Sequence, residues 1–159
     1  PSKTFNLAGL QISNIFISNP QIRETFRQEI NRAGYSQLNV AGLVGCEAAY
    51  SDGEEGYEAM KAYVAANIEY TKEYVEQYLS GVSMTEHEGT YLVWLDFRGT
   101  GLGVEELEDL IIHKAKLWLD SGKIFGEKGK GFQRINVACP RATLTEALER
   151  IRKALEERK

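Results

Sequence analysis

The segment that most constrains how this chain can fold is GFQRINVACP, at residues 131–140. Ile135, Val137 and Cys139 recur there at every second position, which is the pattern of a β-strand with one apolar face. Arg134 lies on the other face of this predicted strand, and a guanidinium is costly to bury unless an anion meets it. Its planar fork suits a carboxylate, which can belong to an internal aspartate or glutamate or to a ligand. The pattern alone leaves both interpretations open.

The composition of the chain is that of an ordinary globular protein. It has 159 residues, of which 43% are hydrophobic and 26% are charged, and this length suits one compact domain. Its net charge of −4 provides no basic surface for nucleic acid or for an anionic membrane, so we expect neither partner. No apolar run approaches the length of a membrane span.

The cysteines and histidines indicate no metal site. Cys46 and Cys139 lie in apolar surroundings, which is typical of reduced, buried thiols in a cytoplasmic protein rather than of a disulfide framework. His87 and His113 are isolated in the sequence, so no group of ligands has metal-binding spacing. We therefore expect a cytoplasmic protein without a bound metal.

Hydrophobic periodicity and turn residues predict alternating helices and strands. Asn19 and Pro20 are typical of the N-cap and first residue of a helix, which would end near Gly34. The sequence TLTE at 143–146 matches a capping box that would begin the final helix. Further helices are predicted at 40–50, 54–79 and 104–115, and strands at 12–18, 91–97, 116–120 and 133–139.

The predicted helices carry apolar faces that should point towards a core. In the first and the last helix these faces consist of Ile22, Phe26 and Ile30, and of Leu144, Leu148, Ile151 and Leu155. The longest helix has an apolar stripe that Thr71 and Lys72 interrupt. Its length suggests a spine that links two domains, because the repeat is not strict enough for a coiled coil.

Three segments of the chain together carry a family resemblance. They are PSKTFNLAGL at 1–10, GTYLVWLD at 89–96 and FGEKGKGFQR at 125–134. They closely resemble the C-terminal part of pyridoxal-phosphate enzymes of the class I/II aminotransferase superfamily, nearest to the cystathionine β-lyase (C–S lyase) branch. Many members of the superfamily have an arginine that contacts the cofactor phosphate where this chain has Gln11, and its loss favours the lyase branch.

The resemblance implies an α/β fold with the aminotransferase (fold type I) architecture. Residues 1–53 would be a remnant of the large cofactor-binding domain, 54–81 a long linking helix, and 82–159 a small α/β domain. Because the chain begins with Pro1 and the lysine that would bind the cofactor is its third residue, we expect a C-terminal piece of a larger enzyme. The resemblance also implies that the parent enzyme is a homodimer.

The resemblance further implies roles for three residues. Lys3 would bond covalently to the aldehyde of pyridoxal 5′-phosphate and then act as a general acid and base at the substrate α-carbon. Ser2 would donate a hydrogen bond to the cofactor phosphate. Arg134 would bind the α-carboxylate of an amino-acid substrate and fix its orientation. Tyr91 could either line the mouth of the site or pack in the core of the small domain.

The leading functional prediction is a fragment of a C–S lyase that acts by β-elimination on cystathionine or a related sulfur amino acid. The alternatives are an aminotransferase of the same superfamily and a non-catalytic domain that serves in folding or association. In enzymes of this superfamily, the groups that stack on the cofactor ring, pair with its nitrogen and hold most of its phosphate precede the lysine. We therefore expect the isolated chain to be inactive and to hold no cofactor.

Overall fold

A computed structural model describes residues 1–35 and 37–158 of the chain. Its Cα positions group into two compact units, Pro1–Lys61 and Ala62–Lys159, and we describe each by itself. The α/β class predicted from the sequence is confirmed. The division of the chain into a large-domain remnant at 1–53, a linking helix at 54–81 and a small domain at 82–159 stays a prediction.

The helices and strands are α1 (Pro20–Arg32), α2 (Val40–Asp52), α3 (Glu54–Tyr78), β1 (Ser83–Met84), β2 (Leu92–Asp96), α4 (Val104–Asp109), β3 (Asp120–Ser121), β4 (Phe132–Asn136) and α5 (Arg141–Glu156).

The first unit contains α1 and α2, and side chains of two asparagines begin these helices. The side-chain oxygen of Asn19 accepts hydrogen bonds from the backbone of the first turn of α1, as the sequence predicts. Gly34 ends α1 with φ +73°, a left-handed conformation that glycine adopts without strain. Asn39 caps α2, and its amide also donates to the carbonyl of Leu10 at 2.6 Å.

The strand predicted at 12–18 is wrong. This segment has no strand structure, and only Ile12 within it is buried, while Ile15 and Phe16 are exposed. A β-strand requires a neighbouring strand to satisfy its backbone groups, and none lies alongside among the described residues of the first unit. The apolar pattern of this segment was therefore insufficient to form a strand.

Helix α3 has the length that its sequence predicts and a buried face that the sequence did not reveal. Asn67 and Thr71 are both fully buried, and the hydroxyl of Thr71 donates to the carbonyl of Asn67 at 2.8 Å. Two polar residues thus continue the buried face where the apolar stripe is interrupted, whereas Lys72 points to solvent. No helix among the described residues has the length and hydropathy needed to span a membrane.

The second unit is built on a four-stranded antiparallel sheet with strand order β1-β2-β4-β3. Strand β4 is therefore flanked by β2 on one side and by β3 on the other. One face of the sheet is buried and contributes to a core shared with α3, α4 and α5. This core includes Val75, Leu79, Val93, Leu95, Leu107, Ile111, Ile135, Val137, Leu144, Leu148 and Ile151.

Two predicted boundaries in the second unit are wrong. The strand predicted at 116–120 is replaced by the two residues of β3, because α4 continues into a π-helical turn at Leu110–Lys114 and Lys116 then adopts φ +55°. The capping box predicted at 143–146 does not form. Helix α5 begins three residues earlier than that motif implies, at Arg141, and the carbonyl of Pro140 accepts the first helical hydrogen bond from Leu144 at 3.1 Å.

Candidate functional site

Arg134 occupies the middle of the sheet in the second unit. The register pairs it with Trp94 on β2 and with Asp120 on β3, so these three residues form one row across the strands. Its neighbours Gln133 and Ile135 are buried. Because successive side chains of a strand point to opposite faces, Arg134 lies on the face away from the core, as the alternation predicts.

The guanidinium of Arg134 makes one ion pair and two aromatic contacts. Its Nη2 and Nε donate to Oδ2 of Asp120, at 2.6 Å and 3.1 Å. Its Cζ lies 4.6 Å from the ring centroid of Phe125 and 5.9 Å from that of Trp94. The internal ion pair that the sequence left open is therefore present. The Nη1 atom donates no hydrogen bond to the described part of the chain, so the guanidinium retains donors for a further anion.

A cavity of about 320 Å³ lies beside this ion pair. Asp120, Arg134, Asn136 and Cys139 contribute to its lining together with Trp118, whose side chain is 88% exposed. Burial raises the pKa of the Cys139 thiol, which keeps the thiol protonated near neutral pH. The cavity therefore combines an arginine, a carboxylate and apolar surface, which suits a small anionic ligand.

Asn67 fixes the chain just after β4. Its amide nitrogen donates to the carbonyls of Val137 at 2.8 Å and Cys139 at 2.9 Å, and its oxygen accepts from Nε of Arg141 at 2.7 Å. Sequence reasoning missed this residue. The sequence did contain a signal for it, because Asn67 lies four residues before Thr71 and therefore on the same face of the helix. Two polar residues on a face that is otherwise apolar indicate buried groups that make hydrogen bonds, rather than a break in the buried face.

Lys3 and Ser2 lie in a turn of the first unit. The turn is closed by hydrogen bonds from the backbone nitrogens of Phe5 and Leu7 to the carbonyls of Pro1 and Ser2, both at 3.0 Å. Lys3 is exposed and has no ion-pair partner within residues 1–35 and 37–158, and Ser2 is half-buried. The exposed primary amine of Lys3 has the chemistry to bond an aldehyde as a nucleophile, and the hydroxyl of Ser2, its neighbour in the sequence, can donate a hydrogen bond to a phosphate.

The ring of Phe5 anchors this turn within the first unit. It packs edge-on against Tyr50, with ring centroids 6.0 Å apart, and lies 6.4 Å from the ring of Tyr57. These contacts tie the turn to helix α2 and to the beginning of α3. The structure therefore holds Ser2 and Lys3 together in the first unit, whereas Arg134 belongs to the second unit.

The glycine-rich segment at 126–131 forms a turn before β4, as the sequence predicts. Its Gly129 meets Gly122 so closely that an ideal Cβ on Gly122 would lie 2.0 Å from the Gly129 carbonyl oxygen. Glycine is therefore required at this crossing. Asn136 accepts a hydrogen bond from the backbone of Ala138 at 2.9 Å, and this bond supports the end of β4. No cluster of potential metal ligands occurs among the described residues.

A charged network joins α3 to α5 within the second unit. The hydroxyl of Tyr74 donates to Glu149, which also accepts from Nε and Nη2 of Arg152 at 3.0 Å and 2.6 Å. The hydrogen bonds from Arg152 and Tyr74 lower the pKa of Glu149 to about 2. Burial, followed by the hydrogen bond to Glu149, raises the pKa of Tyr74 to about 12. This network supports the packing of the helices.

Comparison with known proteins shows consistent similarity over nearly the whole chain, although no protein-family model matches it. Cystathionine β-lyase PatB of Bacillus subtilis is 38% identical over 155 residues, covering 98% of this chain and 40% of PatB. Cystathionine β-lyase of Corynebacterium glutamicum is 36% identical, covering 97% of this chain and 40% of that enzyme. The crystal structure of cystalysin from Treponema denticola, which contains pyridoxal 5′-phosphate, superposes with a TM-score of 0.95 at 38% identity and covers all of this chain.

The chain spans about 40% of the length of each of these relatives. The solved structure and the two curated relatives agree with the resemblance that segments 1–10, 89–96 and 125–134 carry. Over nearly its whole length the chain therefore matches the C-terminal part of pyridoxal-phosphate-dependent enzymes of the class I/II aminotransferase superfamily, and the relatives that it matches include several of the cystathionine β-lyase (C–S lyase) branch.

Proposed function

We propose that this chain is the C-terminal part of a pyridoxal-phosphate-dependent C–S lyase that acts on cystathionine or a related sulfur amino acid. The observation that carries the proposal is Arg134, an arginine on the open face of β4 that lines a cavity and retains hydrogen-bond donors. A small anionic group such as an amino-acid carboxylate fits this position. The names of the relatives, which include several cystathionine β-lyases, support a lyase over an aminotransferase.

Lys3 is the proposed catalytic residue. Its exposed primary amine fits the cofactor, because such an amine would hold it through a covalent bond to the cofactor aldehyde. When bound, the cofactor supplies an electron sink for the substrate α-carbon. Nζ of Lys3 would remove the α-proton and would return it to the sulfur as the Cβ–S bond breaks, so that the sulfur leaves as a thiol. Water completes the release of ammonia and pyruvate. The hydroxyl of Ser2 is proposed to donate to the cofactor phosphate.

Arg134 is the proposed carboxylate-binding residue. Two parallel hydrogen bonds from a guanidinium fix the orientation of a carboxylate as well as its position. Orientation matters for this reaction, because it determines which bond of the α-carbon is broken. The parent enzyme is further proposed to be a cytoplasmic homodimer, and the isolated chain to be inactive for lack of the remaining cofactor contacts.

The test of the proposal is product analysis on the complete protein that carries this sequence, purified with pyridoxal 5′-phosphate. Incubation with L-cystathionine should release thiol, ammonia and pyruvate in equal amounts. An aminotransferase would instead form a keto acid only when an amino-group acceptor is added. The absence of any product, together with failure to bind the cofactor, would support the non-catalytic alternative and overturn the proposal.

Arg134→Lys should separate a substrate-binding arginine from a structural one. Lysine keeps the positive charge but lacks the planar guanidinium that makes two parallel hydrogen bonds. We therefore expect a fall in kcat/KM that corresponds to a loss of about 2–3 kcal/mol of transition-state stabilisation. Cofactor binding and Tm should change little, because a half-exposed ion pair contributes little stability. The matched control is Arg98→Lys, since Arg98 also pairs with an aspartate, Asp96, at 2.7 Å. Normal kinetics with a lowered Tm in the Arg134 variant would show a structural role.

A further inference from the structure

We infer that Asp120 is a positioning residue for Arg134, and that it orients the guanidinium so that one edge remains for the substrate carboxylate. The inference rests on the proposed function of Arg134. Asp120 stands directly opposite Arg134 in the pairing of β3 with β4. The backbone therefore places the carboxylate beside the guanidinium, so their meeting does not depend on two long side chains finding each other.

The contacts of the pair use only one edge of the guanidinium. Oδ2 of Asp120 accepts from both Nε and Nη2, at 3.1 Å and 2.6 Å, which is the side edge. The end edge, formed by Nη1 and Nη2, can offer two parallel N–H groups to a second carboxylate. A ligand carboxylate can therefore bind without displacing Asp120.

Aromatic rings limit the other motions of the guanidinium. Phe125 lies 4.6 Å from its central carbon, and Trp94 lies 5.9 Å away on the neighbouring strand. Trp94 and Phe125 also contact each other edge to face, with ring centroids 5.1 Å apart. With Asp120 on one edge and these rings beside it, Arg134 is ordered before a ligand arrives. Prior ordering lowers the entropy lost on binding.

The side-chain exposures of the pair agree with positioning rather than with a closed structural salt bridge. Arg134 is 24% exposed and Asp120 is 46% exposed, so both groups remain accessible to a ligand or to water. An ion pair this open contributes little stability by itself. Its main consequence is the orientation of the guanidinium, and both residues contribute to the lining of the cavity.

The test compares Asp120→Ala and Asp120→Asn in the complete holoenzyme, with L-cystathionine as the substrate. Asp120→Ala should raise KM about tenfold with a smaller change in kcat, because the guanidinium loses its orientation. Asp120→Asn should restore most of the lost affinity, because its amide oxygen still accepts from Nε and Nη2. A lower KM in Asp120→Ala would instead show that Asp120 competes with the substrate. That result, or an unchanged KM, would overturn the inference.

The control variant is Asp96→Ala. Asp96, the last residue of β2, forms a similar pair with Arg98 in the turn that follows, with Nη2 and Oδ2 2.7 Å apart, but neither residue lines the cavity. The KM of the Asp96→Ala variant should equal that of the unmodified enzyme. If Asp96→Ala raises KM as much as Asp120→Ala does, the effect is general to ion pairs of this sheet and the inference fails.

A second measurement is independent of activity, so that failure of the proposed function can be distinguished from failure of this inference. In the 159-residue chain, hydrogen exchange of the Arg134 Nε–H can be followed by NMR. The exchange should be slow in the unmodified chain and in Asp120→Asn, and fast in Asp120→Ala. Equal exchange in all three would overturn the positioning role even if the holoenzyme is an active lyase.

Discussion

The second unit, Ala62–Lys159, contains eighteen of the twenty buried apolar residues of the described chain, whereas the first unit, Pro1–Lys61, contains only Ile12 and Cys46. The first unit also exposes large apolar side chains, including Phe16 at 94%. A sheet covered by helices buries its apolar face within the second unit. The helices of the first unit have no sheet of their own among the described residues, so their apolar residues remain at the surface.

Helices α1 and α5 show that the same sequence pattern can have two outcomes. Both helices repeat apolar residues at three- and four-residue intervals. In α5, Leu148 and Ile151 are fully buried, whereas in α1 Ile22 is 60% exposed and Phe26 is 36% exposed. Periodicity therefore identifies the face that must be covered, but it does not identify what covers it.

The largest expected effect is that of a cavity in the second unit. Leu148 is 0% exposed, so Leu148→Ala should lower the free energy of unfolding by about 2–5 kcal/mol. The same substitution in the first unit, Leu38→Ala, should cost less than about 1 kcal/mol, since Leu38 is half exposed. Urea unfolding followed by circular dichroism measures both. Equal losses would contradict the contrast between the units.

The next effect concerns the buried polar anchor of the second unit. Asn67→Leu removes two donated hydrogen bonds and leaves the carbonyls of Val137 and Cys139 without their partner. We expect a loss of at least about 2 kcal/mol, because buried unsatisfied groups are costly. Asn31→Leu, on the exposed surface of α1, is the matched control and should be nearly neutral. A neutral Asn67 variant would show that apolar packing alone holds the end of β4.

A smaller effect should depend on pH. The pKa of Glu149 is about 2, below the ordinary value of 4.5, so its stabilising contribution is present above about pH 4.5 and is lost as the pH falls towards 2. Glu149→Gln should therefore lower Tm at pH 7, and its difference from the unmodified chain should shrink between pH 4.5 and pH 2. Glu146→Gln, which removes an exposed partner of Arg150, is the control. A constant difference across this range would contradict the assignment.

The smallest effect should come from the exposed surface of the first unit. Phe16→Ser should change the free energy of unfolding by less than about 0.5 kcal/mol, because the ring is almost fully exposed in the folded chain. It should nevertheless reduce binding of a hydrophobic dye and aggregation, since a large apolar group leaves the surface. Should the variant unfold more readily instead, the ring must be packed in the solution state.

Local chemistry was predictable from the sequence, whereas pairing over long distances along the chain was not. The cap at Asn19, the end of α1 at Gly34 and the face of Arg134 depend on neighbouring residues, and each was predicted correctly. The partner of Arg134 could not be predicted, because Asp120 meets it only through the pairing of β3 with β4. The role of Asn67 likewise depends on carbonyls seventy or more positions away.

Two of the wrong predictions have a common physical cause. The pattern at 12–18 suits a strand, but pairing needs a neighbour that this unit does not provide among its described residues. The TLTE sequence at 143–146 suits a helix start, but Pro140 takes the N-cap position, with φ −54° and ψ 139°, and the helix begins at Arg141. In both segments the structure depends on a residue or strand outside the motif itself.

The row formed by Trp94, Arg134 and Asp120 has a consequence for how this lineage can tolerate insertions and deletions. A single residue inserted in β4 just before Arg134 would turn the arginine towards the core and bring a core residue to the open face. Changes of two residues would keep Arg134 on the open face, and length changes in the turn at 126–131 would leave β4 unchanged provided that they keep the close crossing of Gly122 and Gly129. In the hairpin formed by β3 and β4, length variation among relatives is therefore expected in the turn. Within β4 the alternation of side chains between the core and the open face is expected to be preserved.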